Sequence, residues 1–217
     1  MTVALTDSSG ANSSGANSSG MKSSGANSSE SKSFQTKPAK WTLEEYHRMI
    51  ESGVLEDKCV ELIRGDIVEI APEGEPHAYS ISESGEYLSD TLGKRVKIRY
   101  GNPITLPDNS EPEPDIAIVK RLGAEYLSHH PYPEDIFWLI EYSESTLKKD
   151  LSLKAQVYAE AAIAEYWVVD IKRKVLIVFR TTKDGQYTSR AEYTEGEISP
   201  IAFPEISLSI QSIINLV

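Results

Sequence analysis

The sequence has almost no cysteine. Cys59 stands alone, so no internal disulfide can form. A reducing compartment, the cytoplasm, is the expected location. No stretch approaches the roughly 18 consecutive apolar residues that a membrane-spanning helix requires. The start, Met1 to Asp7, has neither a basic segment nor a long apolar run, so a signal peptide is not expected. Zinc-site spacing is missing as well. There is no second cysteine, and the adjacent pair His129-His130 cannot chelate one ion well. His77, near the start of a helix, is expected at the surface. No phosphate-loop glycine pattern occurs.

Positive charge is also scarce. Lysine and arginine number 22 against 33 acids, for a net charge of −11. The first forty residues hold Lys22, Lys32, Lys37 and Lys40 but only Asp7 and Glu30, a net of +2, which leaves −13 on the remainder. Such a balance argues against indiscriminate nucleic-acid binding through a broad basic face. A local basic groove, or an acidic site filled by a metal ion, remains compatible with it.

What is present divides at about residue 40. From Asp7 to Lys32 the chain cycles through Ser-Ser-Gly-Ala-Asn and close variants. A five-residue polar unit has no apolar face to stack or bury, so residues 1–40 are expected to form a disordered tail. Residues 41–217 are the size of one domain with its own core.

Within that domain the patterns alternate between helical and extended. Thr42 and Glu45 form a capping-box pair at the start of a helix that Gly53 ends. Cys59–Ile63 and Ile67–Ile70 form a hairpin around Arg64-Gly65-Asp66. A second helix runs from Pro76 to Gly93, with Ala78, Ile81, Gly85, Leu88 and Leu92 on one face. Strands follow at Val96–Tyr100 and Asp115–Val119, with a short extended piece at Asn102–Leu106. Ile136–Ile140 is wholly apolar, as expected of a central buried strand. A third helix spans Asp150 to about Ala162. Further strands are expected at Tyr166–Val169, Lys174–Phe179 and Gln186–Tyr193, and a short helix at Ser209–Leu216. The order implies an α/β or α+β domain, a mixed central sheet flanked by helices.

Two carboxylates stand out. Asp115 enters one strand behind Pro114, and Glu141 ends the most apolar strand. An acid beside a buried run is costly unless it is paired or binds a cation. If the two strands are neighbours, both acids leave the same sheet edge. Hard oxygen ligands placed so would suit Mg²⁺, with Mn²⁺ as a substitute.

These residues resemble a known group. Glu113-Pro114-Asp115-Ile116-Ala117-Ile118-Val119, Leu139-Ile140-Glu141-Tyr142-Ser143-Glu144-Ser145-Thr146, and a helix carrying Lys154 and Tyr158 look like the PD-(D/E)XK nuclease superfamily. More narrowly, the chain resembles the Uma-type family of restriction-endonuclease-like proteins. Val60–Gly65 and Glu165–Asp170 carry the resemblance at either end. It implies a restriction-endonuclease-like core with an N-terminal helix and hairpin and extra C-terminal strands. It also implies Mg²⁺-dependent hydrolysis of DNA by Asp115, Glu141 and Lys154, with Glu61 as a third acidic candidate. The superfamily pattern places a lysine two residues after the second acid, where this chain has Ser143. Lys154 is the matching lysine of the narrower family.

Each residue also has a plain structural reading. Asp115 would cap a turn, and Glu141 would be a solvated strand-end acid. Lys154 would pair with Asp150 on a helix surface. Glu61 would face outward from the hairpin. Arg95, Lys97 and Arg99 put three cations on one strand face, either to follow a phosphate backbone or as the wet side of an edge strand. The rival to a nuclease is therefore a nuclease-fold protein without catalysis, a binding module or a homodimeric scaffold.

Overall fold

The computed structural model describes residues 37–214. The expected tail lies outside the described residues as far as residue 36, and so do residues 215–217 at the C-terminal end.

Helix α1 (Leu43–Glu51) begins as its capping box dictates. The Glu45 N–H donates to Thr42 Oγ1 at 3.2 Å, and the Thr42 N–H donates back to Glu45 Oε2 at 2.9 Å. Strands β1 (Val60–Ile63) and β2 (Asp66–Glu69) pair as a separate two-stranded ribbon. Their turn needs left-handed backbone at Arg64 and Gly65, with φ of 50° and 76°. That geometry matches the twist of a tight hairpin. The turn is pinned from both sides, since Trp41 N–H donates to the Gly65 carbonyl and the Gly65 N–H donates to that of Asn109.

Helix α2 (Glu75–Leu92) leads through a 3₁₀ turn (Gly93–Arg95) into the central sheet. The sheet comprises β3 (Lys97–Tyr100), β4 (Ile116–Val119), β5 (Ile136–Ser143), β6 (Glu165–Asp170), β7 (Val175–Lys183) and β8 (Gln186–Tyr193), in that spatial order. Only β5 and β6 run parallel. The crossover between them is α3 (Leu147–Lys149), a π-helical stretch (Asp150–Lys154) and α4 (Ala155–Glu160). Two short strands, β9 (Glu197–Ile198) and β10 (Leu208–Ser209), and helix α5 (Ile210–Ile214) close the described chain.

Strand alternation sorts the core into two layers. Ile116, Ile118, Trp138, Ile140, Trp167 and Val169 pack with Leu88 and Leu92 of α2 and with α5. Ala117, Val119, Leu139, Tyr166 and Val168 pack on the other face with Val157 and Tyr158 of α4. Burial of each large side chain contributes about 1.5–3 kcal/mol. Covering on both faces explains why β5 and β6 lack polar alternation. No helix among the described residues is long and apolar enough to cross a membrane.

Several expectations change. Strand β5 continues to Ser143, so Glu141 sits inside it and not at its end. The crossover helix starts at Leu147, ahead of Asp150. Asn102–Leu106 forms no strand and contributes only an isolated bridge from Leu106 to Ser110. The basic stripe dissolves as well. Arg95 lies in the 3₁₀ turn and pairs with Glu205 at 2.6 Å, Lys97 is exposed, and Arg99 is half-buried against the Tyr126 ring.

Candidate active site

The antiparallel register of β4 and β5 sets Ile116 opposite Ile140. The next pair outward is Asp115 and Glu141. Asp115 has left the strand, and its Oδ2 accepts the Tyr142 backbone N–H at 2.6 Å. This bond fastens the Asp115 carboxylate to the neighbouring strand beside Glu141. By strand parity Glu141 shares its face with Leu139, toward the crossover helices.

Those helices supply the rest. Lys154 Nζ donates to Glu141 Oε1 at 2.8 Å, and the Tyr158 hydroxyl donates to the same oxygen at 2.8 Å. Lys154 is only 5% exposed, so it is not the surface lysine of the plain reading. Nor does it serve as the hydrogen-bond partner of Asp150. Asp150 Oδ2 instead accepts from the Ser143 hydroxyl at 2.7 Å. The π-helical stretch spans Asp150 to Lys154, and such widened turns recur where a side chain must be redirected.

Glu61 is fully buried, contrary to an outward-facing hairpin residue. Strand β1 is covered on both faces, so alternation there does not separate wet from dry. The Glu61 carboxylate receives Lys149 Nζ at 2.8 Å, lies 3.6 Å from Lys154 Nζ, and accepts the Glu113 N–H at 3.2 Å. The structure thus gathers Glu61, Asp115, Glu141 and Lys154 into one neighbourhood.

The electrostatics separate the acids. Burial would raise the Glu61 pKa, but the Lys154 and Lys149 ammonium groups outweigh it and hold the carboxyl below the usual range. Burial raises Glu141 well above that range, and the charges of Asp115 and Asp150 add to the rise against Lys154. Burial also raises Glu113, with Glu61 adding to it. Burial alone would lower Lys154, but Glu141 and Glu61 more than reverse this, so its ammonium stays charged. Charged lysine in this setting is a fixed cation and not a proton acceptor.

His77 is not the surface residue its sequence position suggests. It sits in the first turn of α2 with a side chain 14% exposed, and its Nε2 lies 3.1 Å from Asp115 Oδ2. Burial would lower its pKa, but the bond to Asp115 and the charges of Asp115 and Glu73 raise it. Helical spacing alone could not reveal this contact, because Asp115 reaches α2 only through the sheet. Glu113 and Lys149 escape sequence reasoning for a similar reason, being neighbours of the site through Glu61. Together these residues line a cavity of about 50 Å³ that includes Glu73, His77, Glu113, Asp115, Glu141 and Lys154.

Comparison with known proteins places this arrangement. No curated protein matches the chain. A solved structure from Anabaena variabilis, described as "a putative nuclease belonging to DUF820", matches with a TM-score of 0.60 at 16% identity. The match covers 82% of this chain and 98% of that one, and it shows a shared fold. The model of the Uma2 family, described as "Putative restriction endonuclease", matches residues 43–211, a span that holds every acid and lysine of the site. On that match, and with the mixed six-stranded sheet and flanking helices, this chain belongs to the Uma2 restriction-endonuclease-like family.

Proposed function

We propose that this protein is a divalent-cation-dependent endonuclease that hydrolyses DNA phosphodiester bonds. The observation that carries the reading is the Asp115 carboxylate fastened to the Tyr142 N–H beside Glu141, with the buried Lys154 ammonium on Glu141.

The donor set fits Mg²⁺. The cavity is lined by Glu73, Glu113, Asp115, Glu141 and Asp150 against Lys149 and Lys154. Two ammonium groups, Lys149 and Lys154, face these five carboxyl groups. Asp115 and Glu141 would hold the ion through carboxylate oxygen, the usual protein contribution for Mg²⁺. Such an ion supplies a bound water of lowered pKa and offsets phosphate charge.

The chain's own residues do the remainder. Lys154 and Tyr158 fix one oxygen of Glu141, leaving the other to face a ligand. The Tyr142 N–H and His77 fix one oxygen of Asp115 in the same manner. Lys154, held charged, stabilises negative charge that grows on the phosphate in the transition state. Glu61 keeps Lys154 and Lys149 in place by accepting from one and attracting the other.

One observation favours the rival reading of a non-catalytic binding module or dimeric scaffold. The groove leading to Asp115 along α2, about 590 Å³, is walled by Glu73, Glu86 and Asp90, which repel a phosphate backbone. Cleavage of duplex DNA with Mg²⁺ or Mn²⁺ by the native protein, beside Asp115→Asn and beside RNA of the same sequence, decides between them. Metal-dependent cleavage lost in Asp115→Asn supports the enzyme. Equal activity in both proteins, or none in either, removes it.

A further inference from the structure

Apart from the site, a cavity of about 250 Å³ opens between α1 and residues 126–132 of the loop before β5. Three imidazoles, His47, His129 and His130, and two phenol rings, Tyr126 and Tyr132, line it. Among the described residues that line it none is acidic, unlike the groove along α2. The nearby carboxylate of Glu111 is 3% exposed and is met by two of the imidazoles. His47 Nε2 lies 2.7 Å from its Oε2, and His130 Nε2 lies 3.3 Å from its Oε1. A guanidinium only donates, so His130 Nδ1 accepts from Arg99 Nη2 at 3.4 Å, and the ring proton sits on Nε2 toward Glu111. A carbonyl only accepts, so His129 Nδ1 donates to the His130 carbonyl at 2.8 Å and leaves its Nε2 as an acceptor.

The rings form a stack with an open end. His129 lies nearly parallel to Tyr132, with centres 4.7 Å apart and planes at 18°. Tyr126 meets His129 edge-on at 5.9 Å, and the Arg99 guanidinium sits 5.6 Å from the Tyr126 ring centre. Tyr132 is 39% exposed, so ring surface at its end of the stack reaches solvent. Leu127, also in the lining, is 90% exposed, the most of any large apolar side chain among the described residues. Aromatic faces beside an apolar rim suit a flat ring with polar edges.

We propose that this cavity takes one unpaired nucleobase of a nucleic-acid strand, stacked on Tyr132 and rimmed by Leu127. Its volume falls below the roughly 300–1,000 Å³ of pockets for drug-sized ligands, which suits a single ring system. Bases splayed from a strand stack on tyrosine and histidine in this way, whatever their sequence. Position ties the cavity to the site. Glu111 and Asp115 are four residues apart, so at most roughly 14 Å of chain separates them. That distance is about four steps of a strand at roughly 3.4 Å each. A strand with a phosphate at Asp115 can therefore place a nearby base in the cavity. The inference deepens the nuclease reading and rests on it only for the source of the base.

The test titrates the full chain in EDTA, so that cleavage plays no part. The probes are single-stranded hexadeoxyadenylate, an abasic strand of the same length, and dAMP. The readout is the imidazole Hε1 signals of the four histidines by NMR. Hexadeoxyadenylate should shift the signals of His129 and His130, and the abasic strand should leave them in place. Tyr132→Ala should weaken hexadeoxyadenylate binding roughly fivefold or more, the low end for losing one stacked base. Tyr132→Phe should keep the affinity, because the ring face remains. No shift with hexadeoxyadenylate overturns the proposal. Equal shifts with the abasic strand overturn it too, since phosphate alone would then account for them. Binding of dAMP as tight as that of hexadeoxyadenylate overturns the link to a strand. Should a variant fold poorly, the native titrations by themselves still put the proposal at risk. Cleavage with Mg²⁺ is scored separately. Cleavage without the histidine shifts sinks this inference alone, and the shifts without cleavage sink the nuclease reading alone.

Discussion

The Ser143 hydroxyl donates a 2.7 Å hydrogen bond to the Asp150 carboxylate, and both residues are buried. Ser143 occupies the position where the wider superfamily has its lysine. Here that position anchors the π-helical stretch, and the far end of the stretch delivers Lys154 to Glu141. Lys154 meets the second acid from there, as a relocated lysine would have to.

Lys154→Ala should therefore lower DNA cleavage by at least about 100-fold, the usual scale for losing a stabilising donor. It should also cost roughly 3–5 kcal/mol of stability, because buried Glu141 and Glu61 lose their shared cation. Single-turnover cleavage and urea denaturation measure the two effects. Unchanged cleavage by a folded Lys154→Ala protein would show that the ammonium plays no part in the chemistry.

Adding Ser143→Lys to Lys154→Ala tests the relocation. Ser143 shares its strand face with Glu141 by parity, so a lysine there points toward the same layer. Cleavage should recover at least about tenfold over Lys154→Ala, a fraction of one well-placed donor's worth. A double variant no better than the single one would deny the two positions a common role.

The site was legible where chemistry and local order coincide. Asp115 after Pro114, and Glu141 within an apolar run, are conspicuous because an acid in such a context needs a partner. The capping box at Thr42 and Glu45 is purely local and appears as expected. Glu61 was harder, since alternation predicts exposure only when one sheet face is wet, and β1 has none. His77 depends on how α2 lies against the sheet, which no window of sequence contains. Strands β9 and β10, two residues each, are too short to carry any period.

Alkaline pH should weaken the fold through Tyr46. Its hydroxyl donates to the Val60 carbonyl at 3.0 Å inside the protein. Burial, aided by Glu113, Glu111 and Glu61, pushes its pKa up to about 12 from an ordinary 10.0. A raised folded-state pKa means the stabilisation is complete below pH 10 and is lost as pH climbs toward 12. Denaturant midpoints from pH 8 to 11 should fall in the native protein and fall less in Tyr46→Phe. At pH 7 that variant should lose about 1 kcal/mol with its hydrogen bond. Parallel pH profiles for the two proteins would refute the assignment.

Gly65→Ala should destabilise the domain by at least about 1–2 kcal/mol, the cost of left-handed backbone for a residue with a side chain. The added Cβ would stand 2.8 Å from the Trp41 carbonyl oxygen, a backbone atom that cannot swing aside. Thermal melting provides the measurement. An unchanged melting temperature would mean that the hairpin turn and the entry to α1 move apart freely.

The sheet order β3 to β8 follows the chain without a single skipped neighbour. Asp115, Glu141, Lys154 and Tyr158 therefore come from consecutive segments, joined by loops short enough to close at little entropic cost. Glu61 and His77 arrive from upstream of that stretch. During folding, the two strand carboxylates and their lysine can meet before the N-terminal ribbon docks. A ribbon that docks after them would set Glu61 against two ammonium groups already in position, as the closing piece of the assembly.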